Sequence, residues 1–141
     1  RPGASNPSVK EVVEAINVAV QGVKAPTALY TYFGHLNGVL PALQRCQVNI
    51  IGVDVVSDPK ALAAVTRVKW KTALAVGCLD GRNTKLESTK ELHRVFTAVK
   101  KTVPADRLYV NPNCGLEFLP FEQAQQKLKR LGEAVRTYRS R

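Results

Sequence analysis

The sequence predicts an α/β fold with a parallel sheet, and three observations carry that prediction. Apolar residues switch between helical and strand-like spacing in a regular order along the chain. The clearest strand, Val48–Val56 (VNIIGVDVV), is apolar and β-branched nearly throughout, as expected where both faces of a sheet are covered. Each strand-like run is separated from the next by a helical one, so consecutive strands cannot pair as hairpins and should run parallel through right-handed crossovers.

From Ser8 to Lys24, Val9, Val12, Val13, Ile16, Val20 and Val23 recur at helical spacing, and Ser8 with Glu11 forms a capping-box pattern. Pro26 ends it, because the residue before a proline avoids helical angles. Ala28–Phe33 has a strand composition; Gly34–Gly38 turns, and Val39–Cys46 reads as a short helix. After the Val48–Val56 strand, Asp58 as N-cap and Pro59 as first residue open a helix to about Val65. Thr72–Leu79 is the third strand, Asp80–Glu87 a polar loop, and Ser88 caps a helix to about Val103. Arg107–Val110 is a short fourth strand ending at Asn111-Pro112. Pro120–Tyr138 is a long amphipathic helix with Phe121, Ala124, Leu128, Leu131 and Val135 on one side. One helix followed by four βα units is half of a TIM-type barrel, so residues 1–141 read as one domain in half-barrel form. Such a half leaves two outer strands unpaired. It also leaves an inward face, expected to carry Val53, Val55, Leu74 and Val76, to be covered by another copy, a missing N-terminal half or a larger assembly.

Composition narrows the function classes. The 141 residues are 45% apolar and 23% charged, within the range of globular proteins. No apolar run reaches the roughly 20 residues of a membrane span. Cys46, Cys78 and Cys114 are too few and too widely spaced for a disulfide framework, which suits a reducing compartment, cytoplasmic or organellar matrix. The chain lacks methionine and opens on Arg1, which suggests processing or a piece of a longer protein. Lys and Arg total 21 against 11 Asp and Glu, a net +10 that favours anionic partners such as polyphosphate, polycarboxylate or nucleic acid. For nucleic acid no recognition motif accompanies the charge. The basic C-terminal helix, with Lys127, Lys129, Arg130, Arg136, Arg139 and Arg141, also reads as a solvated helix end.

In parallel α/β folds the chemistry sits after the strand C-termini. The four loops there carry Gly34-His35, Asp54, Asp80-Gly81-Arg82-Asn83 and Asn111–Cys114. Asp54 is a carboxylate in an apolar strand, costly unless paired. Asp80–Asn83 has turn composition, and Arg82 offers a fork for carboxylate or phosphate. A substrate site built from Asp54, Asp80, Arg82, Asn83 and Asn111 is the expectation. His35 and Cys114 are weaker candidates, each with an ordinary alternative as a turn histidine and a small buried residue; His93 reads as structural. No CxxC or HxxxH pair supports a metal centre.

At these loops the sequence resembles the cobalamin-independent methionine synthase family, in the β/α barrel superfamily that includes uroporphyrinogen decarboxylase. The resemblance spans Leu29 to Pro120. It rests on Thr31-Tyr32-Phe33-Gly34, Gly52–Val56, Gly77-Cys78-Leu79-Asp80-Gly81-Arg82-Asn83 and Tyr109–Leu116, in the order of the last four βα units of a barrel. The first and third segments are similar to the family's N-terminal barrel, the fourth to its catalytic one. The resemblance implies methyl transfer from a methyltetrahydrofolate polyglutamate to homocysteine, with zinc holding the thiolate. It also implies zinc ligands at the positions of Tyr32, Gly34, Asp54 and Cys114, of which only Cys114 retains the family residue. His35 lies one residue off the pattern. No cofactor is therefore expected in this chain. Two readings follow: a methionine-synthase-like methyltransferase fragment that binds a folate-type or other anionic ligand, and a non-catalytic structural or assembly subunit derived from the family.

Overall fold

The computed structural model describes residues 7–36 and 38–139. Helix α1 (Val9–Val20) starts at the expected capping box: the Ser8 side chain accepts from the Glu11 N–H, and Glu11 accepts from the Ser8 N–H. Then come β1 (Ala28–Thr31), α2 (Leu40–Leu43), β2 (Ile50–Asp54), α3 (Ala61–Val65) and β3 (Ala73–Leu79). Helix α4 (Thr89–Val99), β4 (Leu108–Pro112) and α5 (Phe121–Arg139) complete the order, with a 3-10 turn at Ala105–Arg107 before β4. The strands form one parallel sheet in the order β1-β2-β3-β4, the half-barrel arrangement expected.

Several elements are shorter than their apolar patterns. Asp58 does not cap a helix that starts at Pro59. Its Oδ1 accepts from the Lys60 N–H at 2.9 Å, closing a turn first, and α3 begins only at Ala61. Likewise α4 stops at Val99, and Val103 reaches the core from the following turn.

The faces of the sheet differ from expectation. Val53, Leu74 and Val76 are at most 2% exposed and belong to the core under the helices, together with Ile51, Val65, Leu92, Phe96 and Val99. Paired Leu29, Ile51, Leu74 and Leu108, and the row of Thr31, Val53, Val76 and Val110, therefore form the helix-covered side. The open side carries the alternate row: Tyr30, Gly52, Ala75 and Tyr109. Tyr30 and Tyr109 are about half exposed, at 45% and 51%, while the Tyr30 ring lies where a Gly52 side chain would stand. A strand apolar on both faces has no alternation from which to read its parity, and here the larger apolar side chains went to the helices.

Helix α5 is also rotated from the expected stripe. Lys127, Leu131 and Ala134 are its buried residues, whereas Phe121 and Leu128 are exposed. Spacing of four and three residues puts Lys127, Leu131 and Ala134 on one line, so a lysine opens the buried stripe. Among the described residues no helix is long and apolar enough to cross a membrane.

Candidate ligand site at the strand C-termini

All four strands point their C-terminal ends to one rim, and two buried side chains knit its loops together. Asp54, last in β2, is 5% exposed. Its Oδ1 accepts from the N–H groups of Val56 at 2.8 Å and Ser57 at 3.0 Å, and its Oδ2 from Phe33 N at 3.4 Å and Asn113 Nδ2 at 3.3 Å. Asn113, 4% exposed, accepts the Gly81 N–H on Oδ1 at 2.8 Å. Its Nδ2 also reaches Ser57 Oγ at 3.4 Å. One amide thus joins the loops after β2, β3 and β4. Sequence reasoning named Asn111 and passed over Asn113, since two asparagines flanking a proline look alike until a register shift between Gly77 and Leu79 places one inside.

Glycine is required where the backbones meet. A Cβ on Gly77 would stand 2.6 Å from Asn113 Cα, and one on Gly81 2.8 Å from Cys114 Sγ and 2.9 Å from the Gly115 carbonyl oxygen. We expect Gly77→Ala to destabilise the fold by about 1–3 kcal/mol, the scale of overpacking, because the obstacle is backbone. Urea titration checks this, and a change within 0.5 kcal/mol would contradict it.

The Asp80–Asn83 segment forms the turn its composition predicts. Asp80 Oδ1 accepts from Arg82 N and Asn83 Oδ1 from Lys85 N, both at 2.9 Å. Asp80 and Asn83 therefore shape the loop. The Asp80 N–H donates to Glu87 Oε1 at 2.8 Å, and Glu87 is paired with Lys127, whose Nζ donates to Oε1 at 2.9 Å and Oε2 at 3.0 Å. Lys127 is completely buried, not one of the solvated cations expected on this helix. Arg130 adds a bond from its guanidinium to the Glu87 carbonyl at 2.8 Å.

Two groups at the rim keep unused capacity. The Arg82 guanidinium lies 4.6 Å from the Phe118 ring centre and 5.6 Å from that of Phe33, and makes no side-chain hydrogen bond among the described residues. Phe33 takes up that position in left-handed backbone, with φ 58°. Asn111 donates Nδ2 to the Pro112 carbonyl, which fixes its amide orientation and leaves Oδ1 buried with no partner.

The remaining candidates are occupied elsewhere. His35 Nδ1 is 3.2 Å from Asp58 Oδ2, and the Lys60 N–H and His35 hold the Asp58 carboxyl below its ordinary range. Cys114 directs its thiol to the Gly115 carbonyl at 3.5 Å. Desolvation pushes that thiol up, with Glu117, Asp54 and Asp80 adding to the effect and Arg82 opposing it. His93 is structural, its Nε2 bonded to the Ala134 carbonyl at 2.9 Å.

The zinc that the resemblance implies finds a poor donor set at the positions where its ligands would stand. Tyr32 and Gly34 bring neither thiolate nor imidazole to the rim, and the Asp54 carboxylate already accepts four N–H donors, which leaves Cys114 as the single thiol among these positions. Among the described residues no three of His, Cys, Asp and Glu converge as a metal site would require.

A parallel sheet of βα units with its polar groups gathered at the strand C-termini defines part of a β/α barrel. The comparisons narrow this further. Residues 4–137 match the family model described as the cobalamin-independent synthase catalytic domain, and the chain belongs to that family. It is 29% identical over 128 residues to the methionine synthase of Saccharolobus islandicus, covering 90% of this chain and 39% of that protein. Against the 5-methyltetrahydropteroyltriglutamate–homocysteine methyltransferase of Actinobacillus pleuropneumoniae the identity is 25% over 130 residues, 90% of this chain and 17% of that one. In fold, it superposes on a B12-independent methionine synthase from Shewanella sp. with TM-score 0.80 at 22% identity, over 91% of this chain and 42% of that chain. The chain thus spans 39% of the length of the archaeal relative, part of a barrel.

Proposed function

We propose that this chain is the C-terminal half of a methionine-synthase-like barrel and binds a folate-type or similar anionic ligand at its rim, without zinc-thiolate chemistry of its own. The observation that supports the reading is the pair of unused groups: the Arg82 fork between two exposed rings, and the buried, unpartnered Asn111 Oδ1. A guanidinium with free donors takes a carboxylate in bidentate fashion. An orphaned carbonyl oxygen seeks an N–H, and a flat ring would stack on Phe33 or Phe118. A pterin-like ring with N–H donors and a glutamate tail offers all three. Asp54, Asp80, Asn83 and Asn113 position the loops in this reading rather than touch the ligand.

Arg82→Ala should weaken binding of a methyltetrahydrofolate polyglutamate by about 1–3 kcal/mol, the scale of a hydrogen bond to a charged group. Titration calorimetry on the chain and its variant measures it; equal affinities would remove Arg82 from the site.

The alternative, a non-catalytic assembly subunit, draws on the open side of the sheet. Tyr30, Tyr32 and Tyr109 are 45%, 57% and 51% exposed, and β1 and β4 each have an unpaired edge. Both readings require that surface to be covered. Sedimentation of the isolated chain at micromolar concentration should therefore show association, and a compact, cooperatively unfolding monomer would count against both.

A further inference from the structure

Between α4 and α5 runs an open groove of about 780 Å³ that includes none of the rim candidates Asp54, Asp80, Arg82, Asn83 and Asn111. Lys90, Arg94 and Lys101 line it from α4 and the turn after it, with Thr89 beside them; the hydroxyls of Thr97 and Thr137, also in the lining, are engaged with Tyr138 and with the Glu133 and Ala134 carbonyls. Among the described residues, none of these three cations has a carboxylate within ion-pairing distance. Glu133 is the one carboxylate in the lining, and it is paired with Arg130 at 3.2 Å. Glu91, on α4, is turned back to cap Ser88, bonding its N–H and its Oγ at 2.7 Å each. A second, shallower depression shares Glu133 and extends the positive surface through Lys129 and Arg136.

We propose that this groove binds the phosphate backbone of double-stranded nucleic acid, independently of sequence. Arginine and lysine are the side chains that most often hold phosphate oxygens without reading bases. The lining offers no exposed aromatic platform on which unpaired bases would stack, which favours duplex over single strand: His93, its only ring, is half-buried and bonded to the Ala134 carbonyl. It also lacks the large apolar side chains with which a basic helix enters a lipid surface. The rim and its ligand play no part in this site.

Fluorescence anisotropy of a labelled random-sequence duplex, followed from 50 to 200 mM salt, tests the proposal. One variant carries Lys90→Glu, Arg94→Glu and Lys101→Glu. A control with the same change in net charge carries Lys24→Glu, Arg67→Glu and Lys69→Glu, outside the groove. A Gln version of the groove variant, with a matched circular dichroism spectrum, guards against misfolding. The expected result is tight, salt-sensitive binding by the parent chain. The groove variants should lose about 2–3 units of the log–log salt slope, near 0.9 per phosphate contact, while the control retains most of it. Equal losses in the groove and control variants would reduce the effect to net charge and overturn the proposal. So would no duplex binding at 50 mM salt, tighter binding of a single strand, or binding confined to anionic vesicles.

Discussion

Lys127→Met should destabilise the protein by about 3–5 kcal/mol, the cost of leaving a largely buried charge without its partner. The Lys127 side chain is 1% exposed and that of Glu87 17%, so removal of the ammonium leaves a carboxylate with little access to water. The damage should also travel. Glu87 Oε1 accepts the Asp80 N–H, so a carboxylate drawn toward solvent releases the start of the loop that presents Arg82. Chemical denaturation of Lys127→Met, Glu87→Gln and the double variant forms a cycle. The double variant should recover a substantial part of the loss, because a neutral amide can still accept from Asp80 N. If the losses of the two single variants simply sum to that of the double, the pair is not coupled and this account is wrong.

Asp54→Ala should cost a similar amount, about 3–5 kcal/mol, through N–H donors deprived of their acceptor. Val56 N, Ser57 N, Phe33 N and Asn113 Nδ2 all converge on this one carboxylate. A sharper version exchanges roles: Asp54→Asn sets two amide donors against each other, and adding Asn113→Asp restores a donor and an acceptor. Asp at position 113 can still accept from Gly81 N, so the exchange should regain part of the stability, with the Phe33 contact remaining lost. Thermal unfolding of the two single variants and the exchange decides it; an exchange no better than the worse single variant would rule out the paired arrangement.

Both predictions rest on residues whose roles the sequence shows unevenly. Asp54 was legible because a carboxylate amid VNIIGVDVV stands out against its neighbours. The capping box at Ser8 and the N-cap at Ser88 were legible because such signals are local, closed within three residues. Asn113 was not, since its partners lie more than 30 residues away and its neighbour Asn111 fits a turn equally well. Lys127 was hidden by its company, among four other cations in α5. What buries it is Glu87, in a loop before another helix, and no spacing rule connects the two. The direction of the sheet's faces was unreadable for a different reason: with apolar residues at both parities, burial depended on which side the helices took. At Arg82 the sequence identified the residue but not its setting, because Phe33 and Phe118 come from separate loops.

The strand order has a kinetic consequence. Ala28 pairs with Ile50, Ile50 with Ala73, and Leu74 with Leu108, so each new strand docks on the one made just before it. No pairing waits for a distant part of the chain, and loop-closure entropy is met in small, similar steps. A nascent chain leaving the ribosome can therefore acquire this sheet in order, one crossover at a time, with the newest strand and the outer edge of β1 awaiting a neighbour.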